Sequence, residues 1–170
     1  TRGARREFPA VAVIVAEATK VTIYDGDDPT LPMWMVFNAS TVNNSFNATA
    51  IFGHTGAPIS SVSAINGEIV VGCSAVTSNL GVRAANFVSD GAWYKRQSYD
   101  MAWLLTIADR NLDDVTVKWA SAGSQYIVNN AVNDIAITVL PDAPTDPATG
   151  LPVPTIAVAT DGGVSVITDS

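Results

Sequence analysis

One local pattern recurs along this chain and limits what it can become: a short apolar run, a turn rich in Gly, Asn or Asp, and a second apolar run. The clearest case is PTIAVATDGGVSVI, Pro154 to Ile167. Its Asp161-Gly162-Gly163 turn suits a tight hairpin because glycine accepts the positive φ angles such turns demand. The opening stretch FPAVAVIVAEATKVTIYDGDD lies over the closing stretch without a gap when Phe8-Pro9 is set on Leu151-Pro152. Val13 and Val15 then fall on Ile156 and Val158, and Val21, Ile23 and Tyr24 on Val164, Val166 and Ile167. Both stretches read as proline, strand, turn, strand. A lone hairpin leaves an unpaired edge and is marginal in water, so each must find a partner upstream, on another chain or in sequence beyond this one.

A weaker copy, PISSVSAINGEIVVGCS, places Asn66-Gly67 at its turn. Further hairpins are read in GVRAANFVSDGAWYKR around Ser89-Asp90-Gly91, and in QYIVNNAVNDIAITVLPD around Asn133-Asp134. The turns fall at unequal separations, which argues against a strict solenoid. Segment 101–112, MAWLLTIADRNL, fits a helical stripe through Met101, Leu104, Leu105, Ala108 and Leu112 and also a strand through Trp103, Leu105 and Ile107 that pairs with Val115, Val117 and Trp119; its β-branched and aromatic residues favour the strand. Many short strands without a run of amphipathic helices predict an all-β, antiparallel fold. The 48% hydrophobic and 15% charged content suits a packed core, not disorder.

From Pro141 to Pro154, PDAPTDPATGLPVP holds five prolines and reads as a stiff connector. The sequence therefore divides into an antiparallel β domain over 1–140, a connector over 141–154 and, over 155–170, the first hairpin of a following blade or domain. The terminal hairpin predicts that the chain is part of a longer protein.

Composition removes several functions. A net charge of −7 gives no basic field for nucleic acid. No apolar segment reaches the roughly 20 residues of a membrane-spanning helix. One cysteine, Cys73, allows no internal disulfide, and one histidine, His54, gives no His/Cys metal constellation and no Cys-His pair by spacing. No phosphate-binding glycine loop or nucleophile elbow is present. The residues thus predict no catalytic centre and no cofactor. Asp25, Asp27 and Asp28 in YDGDDP are the one candidate set of hard oxygen ligands, with Ca²⁺ the ion they would take. Trp93 and Tyr94 are the candidate aromatic contacts for a carbohydrate.

The hairpin wording, PTIAVATDGGVSVI after a proline-rich connector, with INGEIVVGCS and VSDGAWYK before it, resembles blades of a β-propeller. Ile59 to Arg96 supplies the four strands of one blade. With REFPAVAVIVAEATKVTIYDGDDPTLPMWMVF at the front, the chain resembles tail proteins of tailed bacteriophages, of the tail-fibre or tailspike class. That resemblance implies a virion location, copies of itself and other tail proteins as partners, and a structural role with a contribution to host attachment. Two alternatives accompany it: a module that recognises a host-surface glycan, and a propeller-type polysaccharide hydrolase. SDGAW is a poor match to the Asp-box of sialidase propellers, and Arg83, Arg96 and Arg110 with Tyr94 or Tyr99 show no spacing that asks for an arginine triad and tyrosine nucleophile.

Overall fold

A computed structural model describes residues 7–41, 50–53, 55–56, 58–74, 81–112 and 118–168. The fold is all-β and antiparallel, in three sheets. The first holds β1 (Ala12–Glu17), β2 (Lys20–Asp25) and β3 (Met33–Asn38). The second is a six-stranded meander of β4 (Ile59–Ile65), β5 (Glu68–Cys73), β6 (Val82–Asn86), β7 (Gly91–Arg96), β8 (Tyr99–Trp103) and β9 (Trp119–Ser121). The third holds β10 (Val132–Thr138), β11 (Thr155–Thr160) and β12 (Gly163–Ile167).

The meander is the middle layer. Successive side chains of a strand point to opposite faces, and the two faces of β5 enter different cores. Ile69 and Val71 join Val21, Ile23, Trp34, Met35 and Phe37 of the first sheet, with Tyr94, Trp103 and Trp119. Val70, with Val82 and Ala84, joins Val132, Ile135, Ile156, Val158 and Ile167 of the third sheet. A strand covered on both sides needs no polar alternation, which explains why EIVVGC is buried along its whole length. Gly72 makes the second contact possible: a Cβ there would meet Val132 Cγ1 at 2.6 Å, so only glycine lets the third sheet approach this closely.

Turn chemistry follows the sequence at several places. Asn66 (φ 53°) and Gly67 (φ 75°) join β4 to β5 in a two-residue loop with both φ positive. Asp161-Gly162 joins β11 to β12, where the Thr160 hydroxyl donates to the Gly163 carbonyl at 2.8 Å. The closing hairpin has its neighbour upstream: β11 pairs with β10 from Val132↔Thr160 to Thr138↔Thr155. The proline-rich stretch is thus the loop between adjacent antiparallel strands. It is folded on itself, with Val153 N–H donating to Pro144 and the Asp146 carboxylate accepting from Ala148 N–H and the Thr149 hydroxyl.

Several expectations are corrected. The four strands foreseen over Ile59 to Arg96 exist as β4–β7, but β8 and β9 extend them to six, beyond the four of a propeller blade. Among the described residues the sheets stack and do not form blades around an axis. Asn133-Asp134 is not a hairpin turn; it is a bulge inside β10, where the pairing register shifts between Val132 and Asp134. In 101–112 only Met101 to Trp103 is strand, and Trp103 pairs with Trp119. The chain then turns through a short 3-10 helix, Ile107–Asp109, where the Thr106 hydroxyl donates to the Asp109 carboxylate at 2.9 Å. Val115, Val117 and His54 lie outside the described residues.

The overlay of the opening and closing hairpins holds in pairing and fails in facing. Val13 pairs with Tyr24, and its counterpart Ile156 pairs with Ile167. Yet Ile156 and Val158 are buried while Val13 and Val15 are exposed, and Val164 (66% exposed) and Val166 (62%) face outward where Val21 and Ile23 are buried. The period-two pattern of Ile156, Val158, Val164 and Val166 predicts that all four face a core; this holds for Ile156 and Val158 and fails for Val164 and Val166. Each hairpin is apolar on both faces, so the choice of buried face falls to the neighbouring layer.

Candidate groove on the middle sheet

The third sheet covers only part of its side of the meander. At the rest of that side a groove of about 630 Å³ opens, lined by Glu68, Trp93, Lys95, Asp100, the 122–125 segment and Asp146 of the proline-rich loop. Its floor is dictated by register. Glu68 lies opposite Asn86, Asn86 opposite Gly91, and Trp93 and Lys95 follow at alternate positions on β7. Asp100 lies directly across from Lys95 on β8.

The floor is polar although nearly closed to solvent. Lys95 Nζ donates to Asp100 Oδ1 at 2.9 Å, with both side chains only 6% exposed. Asp100 Oδ2 accepts from Gln125 N–H at 3.1 Å, and Gly123 stands so near that a Cβ there would lie 2.8 Å from that oxygen. Lys95 Nζ also sits 5.4 Å from the Trp93 ring centroid, within cation–π range. Trp93 is half-buried: part of its indole packs on the core shared with the third sheet, and its Nε1–H donates to Glu68 Oε1 at 3.0 Å. Glu68 is itself 3% exposed. Burial, only partly offset by the Trp93 hydrogen bond, pushes its carboxyl above the usual glutamate range.

That shift has a signed consequence. An acid whose folded pKa exceeds its unfolded value favours the folded state fully below the unfolded pKa, and that contribution is lost as pH rises through the folded pKa. Glu68→Gln, which keeps an acceptor for Trp93 Nε1–H, is therefore expected to be more stable than the parent at neutral pH. The difference should shrink as pH falls below the normal glutamate pKa. Urea unfolding of both proteins across that range checks it, and a gap that stays constant with pH would refute it.

The residues singled out from sequence are only partly brought together. Trp93 lines the groove, but Tyr94 points to the opposite face. There its ring meets Trp119 at 4.9 Å and lies beneath the Arg83 guanidinium at 4.7 Å, and burial raises its phenol pKa. Strand alternation thus separates a pair that neighbours in sequence suggested, and Tyr94 is no surface contact. Asp25, Asp27 and Asp28 serve the backbone. Asp27 accepts from Ala10 and Val11 N–H, Asp25 from Asp27 N–H, and Asp28 from Thr30 N–H and its hydroxyl, which hold the Asp28 carboxyl below its usual range. Among the described residues no group of three or more His, Cys, Asp or Glu is placed to hold a metal ion.

Of the arginines named with the tyrosines, Arg83 and Arg110 bind backbone carbonyls, Arg83 Nη1 donating to Ile51 at 3.2 Å and Arg110 Nε to Val36 at 2.6 Å, while the Arg96 guanidinium lies over the Tyr99 ring at 3.8 Å. Asp90 accepts from Ile107 N–H. Cys73 is buried, and burial raises its thiol pKa.

Sequence reasoning missed Glu68, Lys95 and Asp100. A signal was available for the last two: Lys95 and Asp100 stand symmetrically about Gln97-Ser98, so a hairpin there sets them opposite. Comparison with protein-family models, curated proteins and solved structures gives no match.

Proposed function

We propose that this chain is a structural assembly element of the virion-tail kind, joining copies of itself and carrying out no catalysis. The observation that carries this reading is a pair of exposed valine rows on the two outer layers. β1 is an edge strand with Val13 and Val15 exposed, as is Val11 just before it, and β12 is an edge strand with Val164 and Val166 exposed. Contiguous apolar surface on an outer sheet marks an interaction site. The rows lie on different sheets, so a contact of one row with the other on the next copy is heterologous and repeats into a ring or filament. A hydrolase would need two carboxylates acting together. In the groove, Asp100 and Asp146 each have both oxygens in hydrogen bonds, which supports the non-catalytic reading.

Sedimentation across a concentration series tests this. The parent should associate, while Val13→Lys and Val166→Lys should each weaken association and leave the melting temperature of the single chain unchanged, because both side chains already face water. A parent that stays monomeric at every concentration overturns the proposal. So does association untouched by either lysine.

A further inference from the structure

We propose that the groove on the middle sheet is a receptor site for a guanidinium group, the arginine side chain of a partner protein, with Glu68 as its counter-ion. This goes beyond assembly through the valine rows and stands on different residues.

Ion pairing on the groove floor is incomplete. Lys95 and Asp100 satisfy each other, and the second oxygen of Asp100 is taken by Gln125 N–H. Glu68 is the exception. Among the described residues its carboxyl has one hydrogen-bond partner, the Trp93 indole, on a residue only 3% exposed. A carboxyl so buried normally meets a cation or several donors.

Here it meets cavities on two sides. Glu68 lines the large groove, and with Asn86, Asp146 and Thr149 it lines a smaller adjoining hollow beneath Leu151 to Pro154. Among the described residues the charged groups facing this space are Lys95 on β7, Asp100 on β8 and Asp146 on the loop, which with Glu68 give a formal charge of −2. A group entering here is selected for positive charge.

Guanidinium fits better than ammonium. Its planar fork meets carboxylate oxygens with parallel N–H donors and stacks on aromatic faces. Glu68 offers an oxygen with no protein donor, and Trp93 beside it supplies an indole. The host chain carries net charge −7, which adds a long-range attraction for a basic partner. A neutral ligand would leave the Glu68 charge unmatched.

The test titrates the whole chain with N-acetyl-arginine amide and follows the tryptophan indole N–H resonances by NMR, with Trp93→Phe identifying the Trp93 signal. Because that N–H is bonded to Glu68, it reports directly on the counter-ion. The expected result is a saturable shift of the Trp93 indole, stronger than with N-acetyl-lysine amide and absent with N-acetyl-glutamine amide. Glu68→Gln should weaken binding by about thirty-fold or more, as for loss of one partner of a buried charge pair. Its Trp93 indole signal and melting temperature show that the groove is intact.

The pH dependence separates two roles for the carboxyl. As a counter-ion, Glu68 must be ionised, so affinity rises with pH, and binding near its pKa releases a proton. Affinity that falls as pH rises would mean that protonated Glu68 donates to the ligand, and would overturn the assignment. An equal shift with the glutamine derivative, or no shift up to the solubility limit of the arginine derivative, would overturn it as well. Association measured alongside keeps the outcomes distinct: lysine at Val13 or Val166 should leave arginine binding unchanged.

Discussion

Trp119→Ala is expected to lower the unfolding free energy by about 3–5 kcal/mol, the range for removing a large aromatic from a well-packed core. Trp119 is 1% exposed and sits where the edge strand of the meander closes one core. Its ring meets Tyr94 and Trp103 edge to face, each at 4.9 Å, and the Arg83 guanidinium lies 5.7 Å from its centroid. Truncation therefore removes transfer energy, two aromatic contacts and one wall of the site that holds a buried cation. β9 is only three residues long and pairs on one side with β8, so its own backbone offers little to keep it in place. Circular dichroism with urea unfolding measures the loss. A change below about 1 kcal/mol, the scale of a surface substitution, would show that Trp119 is not part of the core.

How far the fold could be read in advance depended on what each residue pattern encodes. Turns written with Asn-Gly or Asp-Gly-Gly were legible because positive φ is a local demand, met by the same residues wherever the strands go. The Gln97-Ser98 turn between β7 and β8 carries no such mark, and so the meander seemed to end at Arg96. Facing was illegible for a different reason. Val13, Ile14 and Val15 are all apolar, and period-two reasoning needs a polar face to define the buried one. Asn133-Asp134 carried a turn signal and became a bulge, since β10 runs straight past it to pair with a strand more than twenty residues on. The groove was hidden because its members are far apart in sequence: Glu68 and Trp93 meet across an intervening strand, and only the register brings them within hydrogen-bond reach. Trp93 was legible as an amphipathic residue; its partner was not.

Lys95→Met is expected to cost about 3–5 kcal/mol at neutral pH, because it leaves the Asp100 carboxylate buried without its cation. The methionine stem fills much of the space of the lysine stem, so the loss reports charge more than volume. Asp100 would retain one side-chain hydrogen bond, from Gln125 N–H to Oδ2 at 3.1 Å, with Gly123 close to that same oxygen. Adding Asp100→Asn should recover a large part of the loss, since the amide oxygen still accepts from Gln125 and no net charge remains to be desolvated. The double-mutant cycle thus isolates the pair from the packing around it. Urea unfolding of the parent, both single variants and the double variant supplies the four free energies. If Lys95→Met alone cost under about 1 kcal/mol, the value of an exposed pair, the groove floor would be wet in solution. The low-dielectric setting that makes Glu68 a strong counter-ion would then fall with it.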